Sequence, residues 1–274
     1  RTNSRCNWKN GKHNQKVTKM KIIGYIKKYG LLLLFLCFYG NLFAQDSTVK
    51  EAEVAFSKGE FDKAIELYEN ILKTNGESAE IYYNLGNSYY RVDKIAPAIL
   101  NYERALLLDP GDGDIRFNLQ MAKLKSVDKI EPVGELFIVT WFQSVQNMGS
   151  ADSWAKLGIT TFLLFIFSLF MYFFSRWIRL KKIAFYLSIV LLVIVILANI
   201  FASNQQSKLN NRNDAIIFVP TVTIKSSPDS SGTDLFILHE GTKVTVKSKL
   251  GEWSEIELEN GNVGWMLTKD IVAI

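Results

Sequence analysis

Leu157–Ser175 reads LGITTFLLFIFSLFMYFFS and Ile183–Ala202 reads IAFYLSIVLLVIVILANIFA, with only Arg176-Trp177-Ile178-Arg179-Leu180-Lys181-Lys182 between them. The first run is 19 residues long and the second 20. At ~1.5 Å of helical rise per residue, each can cross a hydrocarbon core of ~30 Å. A buried helix of a soluble protein would usually carry a polar stripe, and neither run has one. The pair predicts a membrane hairpin with transmembrane helices at 157–175 and 183–202. The loop between them, 176–182, carries four positive charges and no acid. Short positive loops stay in the cytoplasm. Trp154, Tyr172 and Trp177 are placed to anchor the ends at the interface. Both flanking segments are then expected together on the outer side of the membrane.

Toward the N terminus, residues 1–19 are polar and basic without apolar periodicity, and are read as an upstream, non-native extension. From Met20 a signal peptide is expected over 20–44. Lys21, Lys27 and Lys28 form its basic start, Leu31–Phe38 its apolar stretch, and Leu42-Phe43-Ala44 a cleavage site before Gln45. The alternative is a disordered cytoplasmic extension on an uncleaved anchor. Cys37 follows Leu36 rather than a small residue, which argues against a lipoprotein. Residues 1–19 hold six Lys/Arg and residues 20–44 three, with no acid in either. Taking these nine charges from the formal +5 leaves −4 for the mature chain. The basic pI thus belongs to what is removed, and a nucleic-acid partner loses its electrostatic support. Cys6 and Cys37 go with it, leaving neither a disulfide framework nor a thiol nucleophile.

Residues 45–128 repeat themselves with a period of 34: Ala64 returns as Ala98 and Tyr68 as Tyr102. Tyr82-x-x-Leu85-Gly86-x-x-Tyr89, then Ala98-x-x-x-Tyr102, Ala105 and Pro110, follow the tetratricopeptide pattern. The preceding unit keeps Gly59, Phe61, Ala64 and Tyr68, but has Glu51 and Ala52 where Leu and Gly are expected. A third starts at Ile115 and stops near Ser126. The reading is two and a half repeats, with Val127–Met148 helping to cover the last. Projected onto the pattern, Tyr83, Asn84, Asn87, Tyr90, Arg91 and Asn118 line a concave face suited to an extended peptide or a partner helix. Tyr83 and Tyr90 could instead pack between repeats. Asp114 stands where a carboxylate-clamping Lys would be needed.

The juxtamembrane segment 129–156 breaks at Pro132. It then carries Leu136, Phe137, Val139, Trp141, Phe142 and Val145, which suit either an interfacial amphipathic helix or packing on the array. After the second run, 203–212 reads as a polar linker. From 213 the periodicity switches to two: Val222/Ile224, Val244/Val246 and Ile256/Leu258, separated by turn signals ending in Asn260-Gly261. Five or six short strands over 213–274 predict a small barrel. Its opening strand Val222–Pro228, Gly251-Glu252-Trp253, and the Gly264-Trp265 pair closing Asn260–Trp265 resemble a bacterial SH3 domain. That resemblance implies binding of peptides or peptidoglycan. Trp253 and Trp265 are candidates for a ligand platform, with core the alternative, favoured for Trp265.

The expected fold class is a multidomain membrane protein: an all-α tetratricopeptide solenoid, a two-helix transmembrane hairpin and a small all-β SH3-like barrel. Without the first 44 residues His239 is the only histidine. Metal clusters of the His/Cys type are not expected, nor is a cofactor. No nucleophile elbow, phosphate loop or paired-carboxylate motif supports an enzyme.

The order of parts over 20–274 resembles the BatE family of the Bacteroides aerotolerance operon, with Asn84–Pro110 and Ser226–Trp265 carrying most of the likeness. The resemblance implies a non-enzymatic scaffold subunit in the bacterial inner membrane, both soluble domains periplasmic. Its implied partners are von Willebrand factor A-type and MoxR-associated subunits. A cell-wall protein acting on peptidoglycan through the SH3-like domain is the alternative.

Overall fold

The computed structural model describes residues 47–274 apart from 132 and 135. The expected signal peptide, the extension before it and both cysteines lie outside the described residues.

Five helices form the array: α1 (Ser47–Ser57), α2 (Phe61–Asn75), α3 (Ala79–Arg91), α4 (Ile95–Leu108) and α5 (Gly113–Lys125). Their ends are marked chemically. Ser78 caps α3 by accepting from Ile81 N, and Asp112 caps α5 by accepting from Asp114 N and Ile115 N. Small residues let the helices close on one another. A Cβ at Gly86 would stand 2.7 Å from the Tyr102 ring, so that ring lies directly on the α3 backbone. Ala52, one period before Gly86, plays the same small-residue part in α1 and is fully buried. Tyr68 and Tyr102 fill equivalent buried positions in the two units.

Helices α7 (Ala151–Phe174) and α8 (Ile178–Asn210) pack along each other, and both are long and apolar enough to cross a membrane. Their seam is built from small residues. Gly158 faces Ala198, and Ser168 Oγ donates to Ala184 O at 2.8 Å. Phe, Leu, Ile and Val side chains cover the outside. Two boundaries differ from the sequence reading. The seven-residue loop 176–182 shrinks to Ser175–Trp177, because Arg179, Lys181 and Lys182 already lie in the first turns of α8. The expected linker 203–212 is helical through Asn210. Its Gln, Asn and Lys residues are competent helix formers once the preceding run has nucleated the helix.

The C-terminal module is one antiparallel sheet of seven strands: β1 (Asp214–Ile217), β2 (Thr221–Lys225), β3 (Asp234–His239), β4 (Lys243–Leu250), β5 (Trp253–Glu257), β6 (Val263–Leu267) and β7 (Ile271–Ala273). The strand order is β3-β2-β6-β5-β4-β1-β7. The sheet curls round one core holding Ala215, Ile217, Ile224, Leu238, Val244, Ile256 and Met266. The count exceeds the expected five or six because β1 and β7 are short and pair with each other, Ala215 opposite Ala273.

Those two strands decide how the molecule is assembled. Side chains alternate across a strand. Ala215 and Ile217 enter the module's own core, so Ile216 points the other way. Ile216, Ile274 and Val272 join Ala96, Ala98, Ile99, Leu100, Leu119 and Ala122 of α4 and α5 in a second core. The strand β1 is buried on both faces, and the array and the β module are one packed body. The expectation that 127–148 helps to cover the last helix holds only at that helix's end, where Lys129 Nζ bonds the Lys123 and Leu124 carbonyls; Leu119 and Ala122 are covered by the β module, while Val127 and Leu136–Trp141 stay exposed.

Charge completes the joint. Glu103 of α4 is buried, with Lys123 2.7 Å and Lys243 3.0 Å from its carboxylate, and Lys243 also reaches Asp214 at 3.0 Å. Burial works against the Glu103 charge, but Lys243 and Lys123 outweigh it and hold the carboxyl below its usual range. Asp128, after α5, accepts from His239 N, from Thr242 Oγ1 and, at 2.9 Å, pairs with His239 Nδ1. Arg212, after α8, meets Glu77 through both guanidinium nitrogens at 2.6 and 2.5 Å.

Candidate functional site: the array groove and the outer face of the β module

The first helices of successive units are α1, α3 and α5, and α5 turns Leu119 and Ala122 toward the β module. Between them runs a groove of about 310 Å³ lined by Phe56, Asn87, Tyr90, Arg91, Tyr102, Asn118 and Met121. Four of the six residues expected on the concave face line it: Asn87, Tyr90, Arg91 and Asn118. Tyr83 lies beside it, its hydroxyl accepting from Asn118 Nδ2 at 2.9 Å and its ring 6.1 Å from that of Tyr102. Asn84 is half-buried and is not in the lining.

The groove floor is a connected polar network. Asn118 Nδ2 also donates to Asn87 Oδ1 at 2.9 Å, and Tyr102 Oη donates to the same oxygen at 2.7 Å. These bonds fix both amides. Asn87 Oδ1 is consumed by two donors, which leaves Asn87 Nδ2 as donor and Asn118 Oδ1 as acceptor toward the groove. Burial, with Tyr83 and Tyr90 adding to it, pushes the Tyr102 hydroxyl well above its usual range, so it stays a donor at any ordinary pH. Tyr90 is capped on one face by Lys125, whose Nζ is 4.4 Å from the ring centroid and bonds Asp93 at 2.8 Å. Arg91 is exposed, with its guanidinium 4.9 Å from the Phe61 ring centroid. A donor–acceptor pair flanked by aromatics and a cation fits a main-chain amide of an extended segment, with acidic or carbonyl groups toward Arg91.

Phe56 and Met121 were missed, although the repeat contained them. Phe56 precedes Tyr90 by one 34-residue period and Met121 follows Asn87 by one. The weakness of the flanking units hid the correspondence.

On the β module, Met266 is the fully buried residue of β6, so its neighbour Trp265 points to the opposite face and is only half-buried. The favoured core placement of Trp265 is therefore corrected: Gly264 and Met266 occupy the inward positions. A Cβ at Gly264 would stand 2.4 Å from Ile224 Cγ2, which explains why Gly precedes this Trp. Trp253 pairs with Leu267 and Trp265 with Glu255, so the two indoles are diagonal neighbours on one outer face.

Comparison with known proteins agrees with these parts. Residues 52–93 match the TPR repeat family, 79–112 the tetratricopeptide repeat, and 220–272 the bacterial SH3 domain. No curated protein matches the chain. A solved structure titled "Crystal structure of MamA" is 18% identical over 61% of this chain and 99% of that one, with a TM-score of 0.27. The chain carries tetratricopeptide repeats, two apolar helices and a bacterial SH3-type module, parts whose ordinary work is interaction rather than catalysis.

Proposed function

We propose that this chain is a non-enzymatic interaction scaffold held in a bacterial inner membrane by the α7–α8 hairpin, with both soluble parts on the periplasmic side. The observation that carries the reading is the division of the array's two faces. The face built by α4 and α5 is filled by Ile216, Ile274 and Val272, while the groove between α1, α3 and α5 is open. One face makes the body and the other is left for a partner segment.

Topology is supported from two directions. Arg176, Arg179, Lys181 and Lys182 gather at the short turn, where cations in the first turn of α8 oppose the helix dipole. Their local cost makes sense as a cytoplasmic retention signal. The array and the β module leave from the other end of the hairpin and share a core, so they belong on one side. The order of parts, similar to that of the BatE family, points to von Willebrand factor A-type and MoxR-associated subunits of an aerotolerance assembly as partners.

The test is affinity capture of the full chain from its native membrane in mild detergent, comparing wild type with Arg91→Glu/Met121→Glu. Both positions are exposed, so the fold should persist. Selective loss of partners supports groove recognition, and an unchanged partner set refutes it.

A second reading is favoured by Trp253 and Trp265 sharing an outer face: the β module binds peptidoglycan. Nanodisc-held full chain that sediments with purified cell wall, and fails to do so as Trp253→Ala, would support it. Absence of sedimentation by the wild-type chain would count against it.

A further inference from the structure

Helix α6 (Phe137–Gln146) has the sequence FIVTWFQSVQ, without a charged residue. On a 3.6-residue period Phe137, Ile138, Trp141, Phe142 and Val145 share one face, Gln143 stands opposite its centre, and Val139, Thr140 and Ser144 lie at the flanks. In a water-facing helix the first set would be covered. Here Leu136, Phe137, Ile138 and Trp141 are 78%, 80%, 76% and 59% exposed.

Only the C-terminal end of α6 is docked, and the docking place is informative. The Phe142 ring meets Phe201 of α8 edge-on at 5.0 Å, and Phe201 in turn meets Trp154 of α7 at 4.8 Å. Gln146 is buried there. Its carbonyl accepts from Trp154 Nε1 at 2.8 Å and from Gln205 Nε2 at 3.1 Å. Gln205 Nε2 also reaches Asn147 Oδ1 at 3.1 Å. The helix is thus pinned at the level where the apolar run of α8 ends at Ala202 and its polar turns begin. On the two-span reading that level is the outer boundary of the hydrocarbon layer.

We propose that α6 lies in the outer-leaflet interface of the same bilayer the hairpin crosses, its Leu136–Phe142 face in contact with phospholipid. The proposal rests on the two-span reading of α7 and α8. Continuity argues for lipid as the occupant. The apolar face of α6 meets the hairpin where Phe142 touches Phe201, at the depth where indoles and uncharged polar side chains are at home. Trp141 Nε1 has no partner among the described residues and is free to meet a headgroup. The segment before α6 is bonded to the β module, Val133 N donating to Glu259 O at 3.1 Å. A membrane-bound α6 would therefore hold the whole soluble body close to the surface instead of letting it swing on the hairpin.

The experiment uses the full chain with Cys6→Ser and Cys37→Ser, reconstituted in phosphatidylethanolamine/phosphatidylglycerol vesicles. Single nitroxide labels are attached at Ile138→Cys, Gln143→Cys and Phe167→Cys, the last at mid-depth on α7. Collision with oxygen, which concentrates in lipid, is compared with collision with a water-soluble nickel chelate. The expected result is oxygen dominance at 138 and 167 and nickel dominance at 143. Nickel dominance at 138 with oxygen dominance kept at 167 would overturn the placement of α6 while leaving the hairpin intact. Shielding of 138 from both reagents would mean a protein covers the face, and would overturn the lipid assignment. Nickel dominance at 167 would remove the two-span reading itself.

Discussion

Ile216→Ala is the sharpest test of the shared core. Ile216 is fully buried, projects from the β module, and ends among Ile99, Leu100, Leu119 and Ala122 of the array. Truncation leaves a cavity that α4 cannot fill, since its facing residues Ala96 and Ala98 are already small. Buried Ile→Ala changes cost about 2–5 kcal/mol. At ~1.4 kcal/mol per factor of ten, that is about 30- to 4,000-fold in the opening equilibrium. Hydrogen exchange on the nanodisc-held full chain reads that quantity segment by segment, where exchange follows the opening free energy. Faster exchange is expected together in α4, α5, β1 and β7, with α7 and α8 unchanged. An increase confined to the β strands, with α4 and α5 as protected as in wild type, would refute the reasoning and make the two parts independent domains. The same geometry says that a 213–274 fragment exposes Ile216, Val272 and Ile274 and should be destabilised when cut out.

Acid should loosen the joint. Glu77, Glu103 and Asp128 all have lowered folded-state pKa values, so their stabilisation is present above the unfolded values near ~4 and is lost as pH falls through the folded ones. Unfolding midpoints of wild type should drop on going from pH 6 to pH 3, and Glu103→Gln should be less stable at pH 6 with a shallower drop; equal slopes would contradict the assignment. Gly264→Ala places a methyl 2.4 Å from Ile224 Cγ2 and 3.1 Å from Lys225 O, and overpacking of this kind costs about 1–3 kcal/mol. A denaturant midpoint equal to wild type would show that the β2–β6 contact gives more easily than its geometry implies. In a background without native cysteines, Asn87→Cys and Asn260→Cys should label from outside intact inner-membrane vesicles of periplasmic-out orientation, and Arg179→Cys should not; labelling of only one of the first two would break the hairpin topology.

Much of this architecture was legible because each part has a strong period of its own. Uninterrupted runs marked α7 and α8, the 34-residue repeat marked α1–α5, and the alternation of Val244/Val246 and Ile256/Leu258 marked the sheet. What remained hidden was relational. Ala215-Ile216-Ile217 reads as a short apolar run, and nothing in it says that Ile216 belongs to the array rather than to the barrel. Glu103 looks like one more solvated helix acid until Lys123 and Lys243 arrive from elements 20 and 140 residues later in the chain. Core was the favoured place for Trp265, whereas the close approach of Ile224 to Gly264 sets the parity of the strand. The concave face was found to the extent that the repeat was regular. Asn87 and Asn118 followed from it, and Phe56 and Met121 were lost where the flanking units depart from the pattern.

The most direct test of the scaffold reading is site-specific photo-cross-linking in the native cell, with a photoreactive residue at Met121 in the groove or at Trp253 on the β module. A discrete adduct from Met121 that disappears with Arg91→Glu is the result expected if the groove holds a partner segment. Adducts from Trp253 with none from Met121 would contradict it and move recognition to the β module.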